Sequence, residues 1–354
     1  MKVWIEVPFS FKNKTGIGNY FINFLKMLDD LGIDNKTISV EHKMFNFLRF
    51  RNLQYKIWLN IFLFIKAYIE KPDFIIFSNI ITPVLKRKQT KYLTTIHDLT
   101  PYIENTLDKK IVSTYISYIN TAIKKSDLIL TVSETVKKEL IEKFKISENR
   151  IKILYNTYDK CFLSQNNDLS CLDLDKKYKI SKNKYILSVA TLFKRKNLTS
   201  LIKAFNLISD KYPDLKLLLV GDTGNAQHII KELINNNKKI IITGYIKNDD
   251  EISILYQNAL MYVFPSIYEG FGIPIIEAQT SKTPLIVSDI PVFREIAGDG
   301  ALFCQPDSEG IAKKIEELIN NKNIRMQFIE KGIENIKRFD FEIIKSQIKE
   351  ILNS

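Results

Sequence analysis

Short β-branched runs alternate with longer segments of helical spacing along almost the whole chain. "KVWIEV" leads into "GNYFINFLKMLDDLG", where apolar residues recur every three or four positions and Gly32 supplies a C-terminal stop. "PDFIIFSN" and "KYLTTIHD" predict strands, "KKIVSTYISYINTAIKKS" a helix, "DLILTVS" a strand, "ETVKKELIEKF" a helix and "IKILYN" a strand. Such an alternation predicts an α/β architecture with a parallel sheet.

The pattern breaks at "KCFLSQNNDLSCLDLDKKYKISKNK", which is polar and has no sustained period. A second series then follows: strand "YILSVAT", helix "LTSLIKAFNLISDKY", strand "LKLLLVGD", helix "AQHIIKELINN", strand "KIIITGY", helix "DDEISILYQNA" and strand "LMYVFPS". Beyond it come strand "TPLIVSD", a turn, strand-like "ALFCQ" and two helices. The economical reading is two doubly wound, Rossmann-like domains, 1–165 and 183–335, facing a central cleft. A linker at 166–182 joins them, and a final helix at 336–354 packs back on the first. Ligands of such sheets bind beyond the carboxyl ends of the strands.

Composition narrows the class further. The 354 residues are 45% hydrophobic and 26% charged, which suits a folded soluble protein and excludes a disordered one. The N-terminus has no long apolar segment and no small-residue cleavage site, so export is not expected and the expected location is the cytoplasm. Cys161, Cys171 and Cys304 form no C-x-x-C pair, and His42, His97 and His228 are scattered, so no metal cluster follows from spacing. The net charge is +12, with ten Lys or Arg against two acids between Lys43 and Lys91. Within "FNFLRFRNLQYKIWLNIFLFIKAYIEK" the longest uncharged run, Ile57 to Ile65, is far short of the roughly 20 residues that span a bilayer. Two compatible readings remain: a core helix with solvated lysines at its ends, and a basic, aromatic-rich surface that lies on the anionic inner membrane.

Several residues carry candidate chemistry. In "YEGFGIPIIEA", Glu269 follows a strand, two glycines open the turn, and Pro274 suits the first turn of a helix. Backbone amides delivered there form an anion site suited to a diphosphate. Glu277 falls one turn inside, and a carboxylate accepts the two hydrogen bonds that vicinal hydroxyls offer. Dipole-favoured surface charge is the plain alternative. Lys194, Arg195 and Lys196 follow the strand "YILSVAT", where cations could neutralise a leaving diphosphate; a solvated basic turn is the simpler reading. Gly16 and Gly18 follow the first strand, but Phe21 stands where a dinucleotide fingerprint needs its third glycine. His97 and Asp98 end a strand, where they could meet a substrate hydroxyl or serve a structural role. Asp173 and Asp175 have metal–diphosphate spacing, yet they lie in the polar linker and are not taken as ligands.

Together these pieces resemble glycosyltransferase family 4, the retaining, metal-independent transferases of GT-B fold, over nearly the whole chain. "FPSIYEGFGIPIIEA" is similar to the family's P-S-x-x-E-G-F-G-x-P-x-x-E-A signature, and "VATLFKRKNLTSLIKAF" to its R-K-N element. "HDLTP" and "GIG" resemble a branch rich in bacterial mannosyl- and surface-polysaccharide transferases. The resemblance implies that Glu269 and the amides of Phe271 and Gly272 hold the donor sugar, that Glu277 binds ribose, and that Arg195 and Lys196 hold the diphosphate. It implies that Gly16 and Gly18 let the first domain close, that Tyr245 and Ile246 meet the base, and that His97 and Asp98 sit by the acceptor. The donor stretch also takes in Ser266, Gly270 and Ile273. No metal or other cofactor is expected, only a nucleotide-sugar co-substrate and a glycan or lipid-linked glycan acceptor. Thr191, Thr157 and Lys282 depart from the family pattern.

A hydrolase would need carboxylates on both faces of a sugar, whereas Glu269 and Glu277 belong to one helix start. A non-catalytic or nucleic-acid-binding protein would interleave exposed aromatics with its cations, whereas here the aromatics form a nearly continuous apolar block. Nucleic acid is therefore not an expected partner.

Overall fold

The computed structural model describes residues 1–7, 16–39, 55–103, 109–163, 173–235 and 237–353. They form two compact units, one of residues 1–156 with 341–354 and one of residues 157–340. In the first unit, strands β1 (Lys2–Glu6), β2 (Asp34–Ile38), β3 (Phe74–Phe77), β4 (Lys91–Ile96), β5 (Leu128–Thr131) and β6 (Ile151–Ile153) make a parallel sheet in the order β2-β1-β3-β4-β5-β6. Helix α1 (Gly16–Asp30) follows β1, and a π-helical turn Trp58–Phe62 runs into α2 (Leu63–Glu70) ahead of β3. Then come α3 (Thr100–Ile103), α4 (Lys109–Lys125) and α5 (Glu134–Phe144). The start of α5 is fixed by Ser133, whose side chain accepts from the amide of Val136.

The second unit opens with the short α6 (Leu174–Tyr178). Its strands are β7 (Tyr185–Val189), β8 (Lys216–Val220), β9 (Ile240–Gly244), β10 (Met261–Phe264), β11 (Leu285–Ser288) and β12 (Leu302–Cys304), again all parallel, in the order β12-β11-β10-β7-β8-β9. Helices α7 (Leu198–Ile208), α8 (Gln227–Ile234), α9 (Asp249–Asn258), α10 (Ile273–Thr280), α11 (Pro291–Ala297), α12 (Ser308–Asn320) and α13 (Lys322–Ile336) complete it. The strand order reverses at β7, which has β10 on one side and β8 on the other, and that switch point is where such sheets hold ligands. The chain then returns to the first unit as α14 (Phe341–Asn353), whose Ile344, Ile348, Ile351 and Leu352 are buried and whose Lys345 pairs with Asp30 of α1 at 3.6 Å.

Several elements differ from the sequence reading, the one-turn α3 after β4 among them. β2 is an edge strand with the polar sequence DNKTI and little burial, so it leaves no apolar signal. A helix, α11, stands where only a turn was expected, started by Pro291 in its first turn. The polar stretch contains α6, and Asp173 is its N-cap, accepting from the amide of Lys176 at 2.9 Å. The D-x-D pair there is helix-start chemistry. Cys161 and Cys304 are free thiols, while Cys171, His42 and residues 43–54 lie outside the described residues.

Candidate active site

The site in the second unit is built by sewing two strand-end loops together. After β7 the chain passes through Ala190–Phe193 into a 3-10 turn, Lys194–Lys196, closed by Asn197 in the left-handed region (φ 54°). The loop after β8 clamps this turn from one side. A Cβ on Gly221 would lie 2.0 Å from the carbonyl oxygen of Ala190, so only glycine permits the approach. The amide of Lys194 donates to Asn225 Oδ1 at 2.8 Å. From the other side comes the loop after β10: the amide of Ile267 donates to the carbonyl of Arg195 at 2.9 Å, and Asn197 Nδ2 donates to the carbonyl of Pro265 at 3.2 Å. The basic turn is thereby fixed against the loop that carries Glu269.

Glu269 is buried between two cations. Arg195 Nη1 lies 2.9 Å from its Oε2, and Lys196 Nζ donates to its Oε1. Lys196 also sits 5.1 Å above the ring of Phe264. Burial pushes the carboxyl up, but Lys196 and Arg195 more than offset it and hold the group below the usual carboxylate value. Three residues on, Gly272 caps α10 with φ 98°, where a Cβ would crowd the Phe293 ring at 3.0 Å. At this helix start the amide of Ile275 donates to the carbonyl of Gly272 at 2.9 Å, and the positive end of the helix dipole favours an anion.

Glu277, inside α10, has a different environment. Its Oε2 accepts from Tyr256 Oη of α9 at 3.1 Å, and among the described residues no cation pairs with it. Burial, with Asp249 and Asp159 adding repulsion, pushes its carboxyl up to about 7. A carboxyl near half-protonation at neutral pH can both donate and accept, which matches a vicinal diol. Tyr262, buried on β10, feels both Glu277 and Glu269 and is raised well above the usual phenol value, mainly by burial.

The other expected donor residues fall around these two. Ser266 and Gly270 are buried, and the hydroxyl of Ser266 has no partner. The side chain of Phe271 is core, edge-on to Phe339 at 5.6 Å. Tyr245 is exposed and Ile246 buried just past β9. Three strand spacings separate β10 from β9, about 14 Å at ~4.8 Å each.

In the first unit Gly16 opens α1 and Gly18 lies in its first turn. His97 directly follows β4, ringed edge-on by Tyr20 at 5.0 Å and Phe21 at 5.9 Å. Burial pushes it down to about 4, against Asp98 and a hydrogen bond to the Ser78 backbone, so it is neutral at physiological pH. Its Nε2 is buried without a partner and is free to accept a hydroxyl proton donor. Asp98 is largely engaged in structure: its Oδ1 accepts from the amide of Thr100 at 2.9 Å, and its carbonyl from Tyr115 Oη at 2.7 Å.

Sequence reasoning missed Glu6. It ends β1 fully buried, with Oε1 accepting from Tyr55 Oη at 2.7 Å and Oε2 unpartnered, and burial pushes its carboxyl up to about 7. A carboxylate directly after the apolar run Val3–Ile5 was the available signal. Two of the departures have local explanations. Thr157 uses its hydroxyl to bond the carbonyl of Phe339 at 2.8 Å, and Lys282 occupies a left-handed position (φ 58°) where glycine would be unstrained. Among the described residues no group of His, Cys, Asp and Glu is placed to hold a metal ion.

Two parallel doubly wound sheets, with an ion-paired carboxylate at a switch-point helix start, give the GT-B fold seen in solved glycosyltransferases. A model of group 1 glycosyl transferases matches residues 172–335, and one of glycosyltransferase family 4 matches residues 15–160. The chain is 31% identical to the O-antigen chain mannosyltransferase RfbU of Salmonella typhimurium, over 83% of this chain and 76% of the relative. It is 27% identical to O-antigen chain mannosyltransferase B of Escherichia coli, over 74% and 70%. Anabaena HepE, solved with UDP and glucose, superposes with a TM-score of 0.75 at 18% identity, covering 100% of this chain and 99% of that one. The chain belongs to glycosyltransferase family 4.

Proposed function

We propose that the chain moves a hexose from a nucleotide-diphosphate sugar, GDP-mannose or a UDP-sugar, to a growing surface glycan, with retention and without a metal ion. The acceptor in this reading is lipid-linked, an O-antigen or capsule precursor, at the cytoplasmic face of the inner membrane. The names of the relatives support the mannose and O-antigen parts, and the bound UDP and glucose of the HepE structure support the donor class.

The observation that carries the reading is Glu269 held between Arg195 and Lys196 just ahead of α10. Without ligand the two cations outnumber the one carboxylate, so the cluster keeps a positive surplus for a diphosphate. A diphosphate at the helix start shares Arg195 and Lys196, which frees acceptor capacity on Glu269 for sugar hydroxyls. As the glycosyl–phosphate bond lengthens, negative charge grows on the leaving oxygen, and the same cations and amides stabilise it. With Glu269 ionised and paired, it is not a proton donor, and the leaving phosphate takes the acceptor's proton on the same face. His97, neutral and with Nε2 unpartnered, orients a hydroxyl as hydrogen-bond acceptor.

The test is incubation with GDP-mannose and a UDP-sugar panel plus a lipid-linked saccharide, with the new anomeric bond read by NMR. A retained configuration supports the reading. An inverted bond, or full activity in the Glu269→Ala/Lys196→Ala double variant, contradicts it.

A further inference from the structure

Helix α9 opens with three acids, and Tyr256 in its last turn is wholly buried. A buried phenol needs a partner for its hydroxyl. Tyr256 reaches across to α10, where its Oη donates to Oε2 of Glu277, 21 residues on, at 3.1 Å. The same residue is anchored through its backbone. Thr283, between α10 and β11, donates from Oγ1 to the Tyr256 carbonyl at 2.7 Å, and Tyr185 Oη of β7 donates to the adjoining carbonyl of Leu255 at 2.5 Å. The ring lies edge-on to Phe162 at 5.8 Å and tilted against Tyr262 at 5.0 Å. With backbone and ring both held by close packing, the hydroxyl is aimed at Glu277.

The two partners differ in exposure. Tyr256 is fully buried and Glu277 half-buried, so the phenol stands behind the carboxyl, occupies Oε2 and leaves Oε1 for a ligand. The charged groups that act on the carboxyl are acids, Asp249 at the start of α9 and Asp159 ahead of the Lys160–Phe162 turn. From β10, Tyr262 packs on the same ring, but its own hydroxyl donates to the carbonyl of Val189 at 3.3 Å. Burial and the two acids disfavour the ionised carboxyl, and the Tyr256 hydrogen bond draws it the other way. The phenol itself is raised well above its usual value by burial, reinforced by Tyr262 and Glu277, so it stays protonated and remains a donor.

We infer that Tyr256 is a positioning residue for nucleotide recognition: without touching the ligand, it turns Oε1 of Glu277 toward the ribose hydroxyls and keeps that carboxyl able to accept from them. The inference rests on the reading of Glu277 as the residue that meets a vicinal diol.

The experiment is calorimetric titration of the full chain with UDP, GDP and ADP. Wild type, Tyr256→Phe, Glu277→Gln, their double variant and Tyr262→Phe are then titrated with the nucleotide that binds and with its dideoxyribose form, which lacks both ring hydroxyls. Tyr256→Phe should weaken the ribose form by about fivefold and leave the dideoxy form unchanged. In the Glu277→Gln background the same substitution should cost nothing further, because the hydrogen bond acts through that carboxyl. The pH inflection of ribose-form binding should move up relative to wild type, the titration of the ligand's phosphate being common to both. Tyr262→Phe takes a phenol oxygen from the same packed cluster and should leave the ratio of the two affinities unchanged. Equal loss for the ribose and dideoxy forms, a loss that persists in the Glu277→Gln background, an unmoved inflection, or the same change in Tyr262→Phe would overturn the inference. Glu277→Gln separates the two claims. If it binds both forms as wild type does, the diol reading falls and takes this inference with it; if it loses the ribose form while Tyr256→Phe does not, this inference alone falls.

Discussion

Glu269 and Glu277 are the same residue type at the two ends of one loop–helix segment, and the fold gives them opposite electrostatics. Glu269 is clamped by Arg195 and Lys196 and held ionised. Glu277 has a tyrosine hydroxyl and two nearby acids, and burial lifts it to about 7. The difference comes from neighbours distant in sequence: Lys196 lies 73 residues from Glu269, while Tyr256 reaches Glu277 from the preceding helix. Residue type therefore does not assign the role. In the proposed function one carboxylate sits beside a diphosphate and a sugar, and the other shares protons with a diol.

The largest effect should come from breaking the cationic end. Arg195→Ala/Lys196→Ala removes both partners of Glu269 and both stabilisers of the leaving group, and kcat should fall by about 10³-fold or more, measured as release of nucleoside diphosphate. Glu277→Gln should act more mildly, weakening nucleoside-diphosphate binding by about tenfold through one charge-assisted hydrogen bond, read by calorimetry. It should also flatten the pH dependence of that binding near pH 7.

Stability gives a second separation. Glu277 has a folded pKa of about 7, above its ordinary 4.5, so its contribution is fully present below about 4.5 and is lost as pH rises through about 7. Glu269, whose folded pKa is depressed, contributes above its unfolded value, and that contribution is lost as pH falls through the folded one. Chemical denaturation across pH should therefore show Glu277→Gln removing the near-neutral decline and Glu269→Gln removing part of the acid-side loss. Parallel pH profiles for the two variants would remove the contrast.

The smallest expected effect is a control on the same helix. Lys282 follows α10 in a left-handed conformation, so Lys282→Gly should stabilise by roughly 1 kcal/mol, about 2–4 °C in melting temperature. Activity should be unchanged, because neither carboxylate is touched.

Much of this was legible in the sequence, for identifiable reasons. The helical reading of "ETVKKELIEKF" matches α5 to the residue, and the apolar β-branched runs located the central strands of both sheets. β2 was illegible because an edge strand needs no apolar face, and α11 because its seven residues are too few for a period. At the site, the two glutamates and the basic turn were visible as strand-end chemistry. Their pairing was not, since it depends on the loops after β7, β8 and β10 closing on one another. The polar contacts of Glu6 with Tyr55 and of Thr157 with Phe339 are products of packing and have no local signature.

The division of labour between the two glutamates is tested most directly by calorimetric titration of wild type, Glu269→Gln and Glu277→Gln, each with a nucleoside diphosphate and with its matching nucleotide sugar. The account predicts that Glu269→Gln keeps nucleoside-diphosphate affinity within about twofold and loses the increment that the sugar adds. It predicts that Glu277→Gln weakens both ligands equally. Equal loss of both ligands in Glu269→Gln, or loss of the sugar increment in Glu277→Gln, would contradict it.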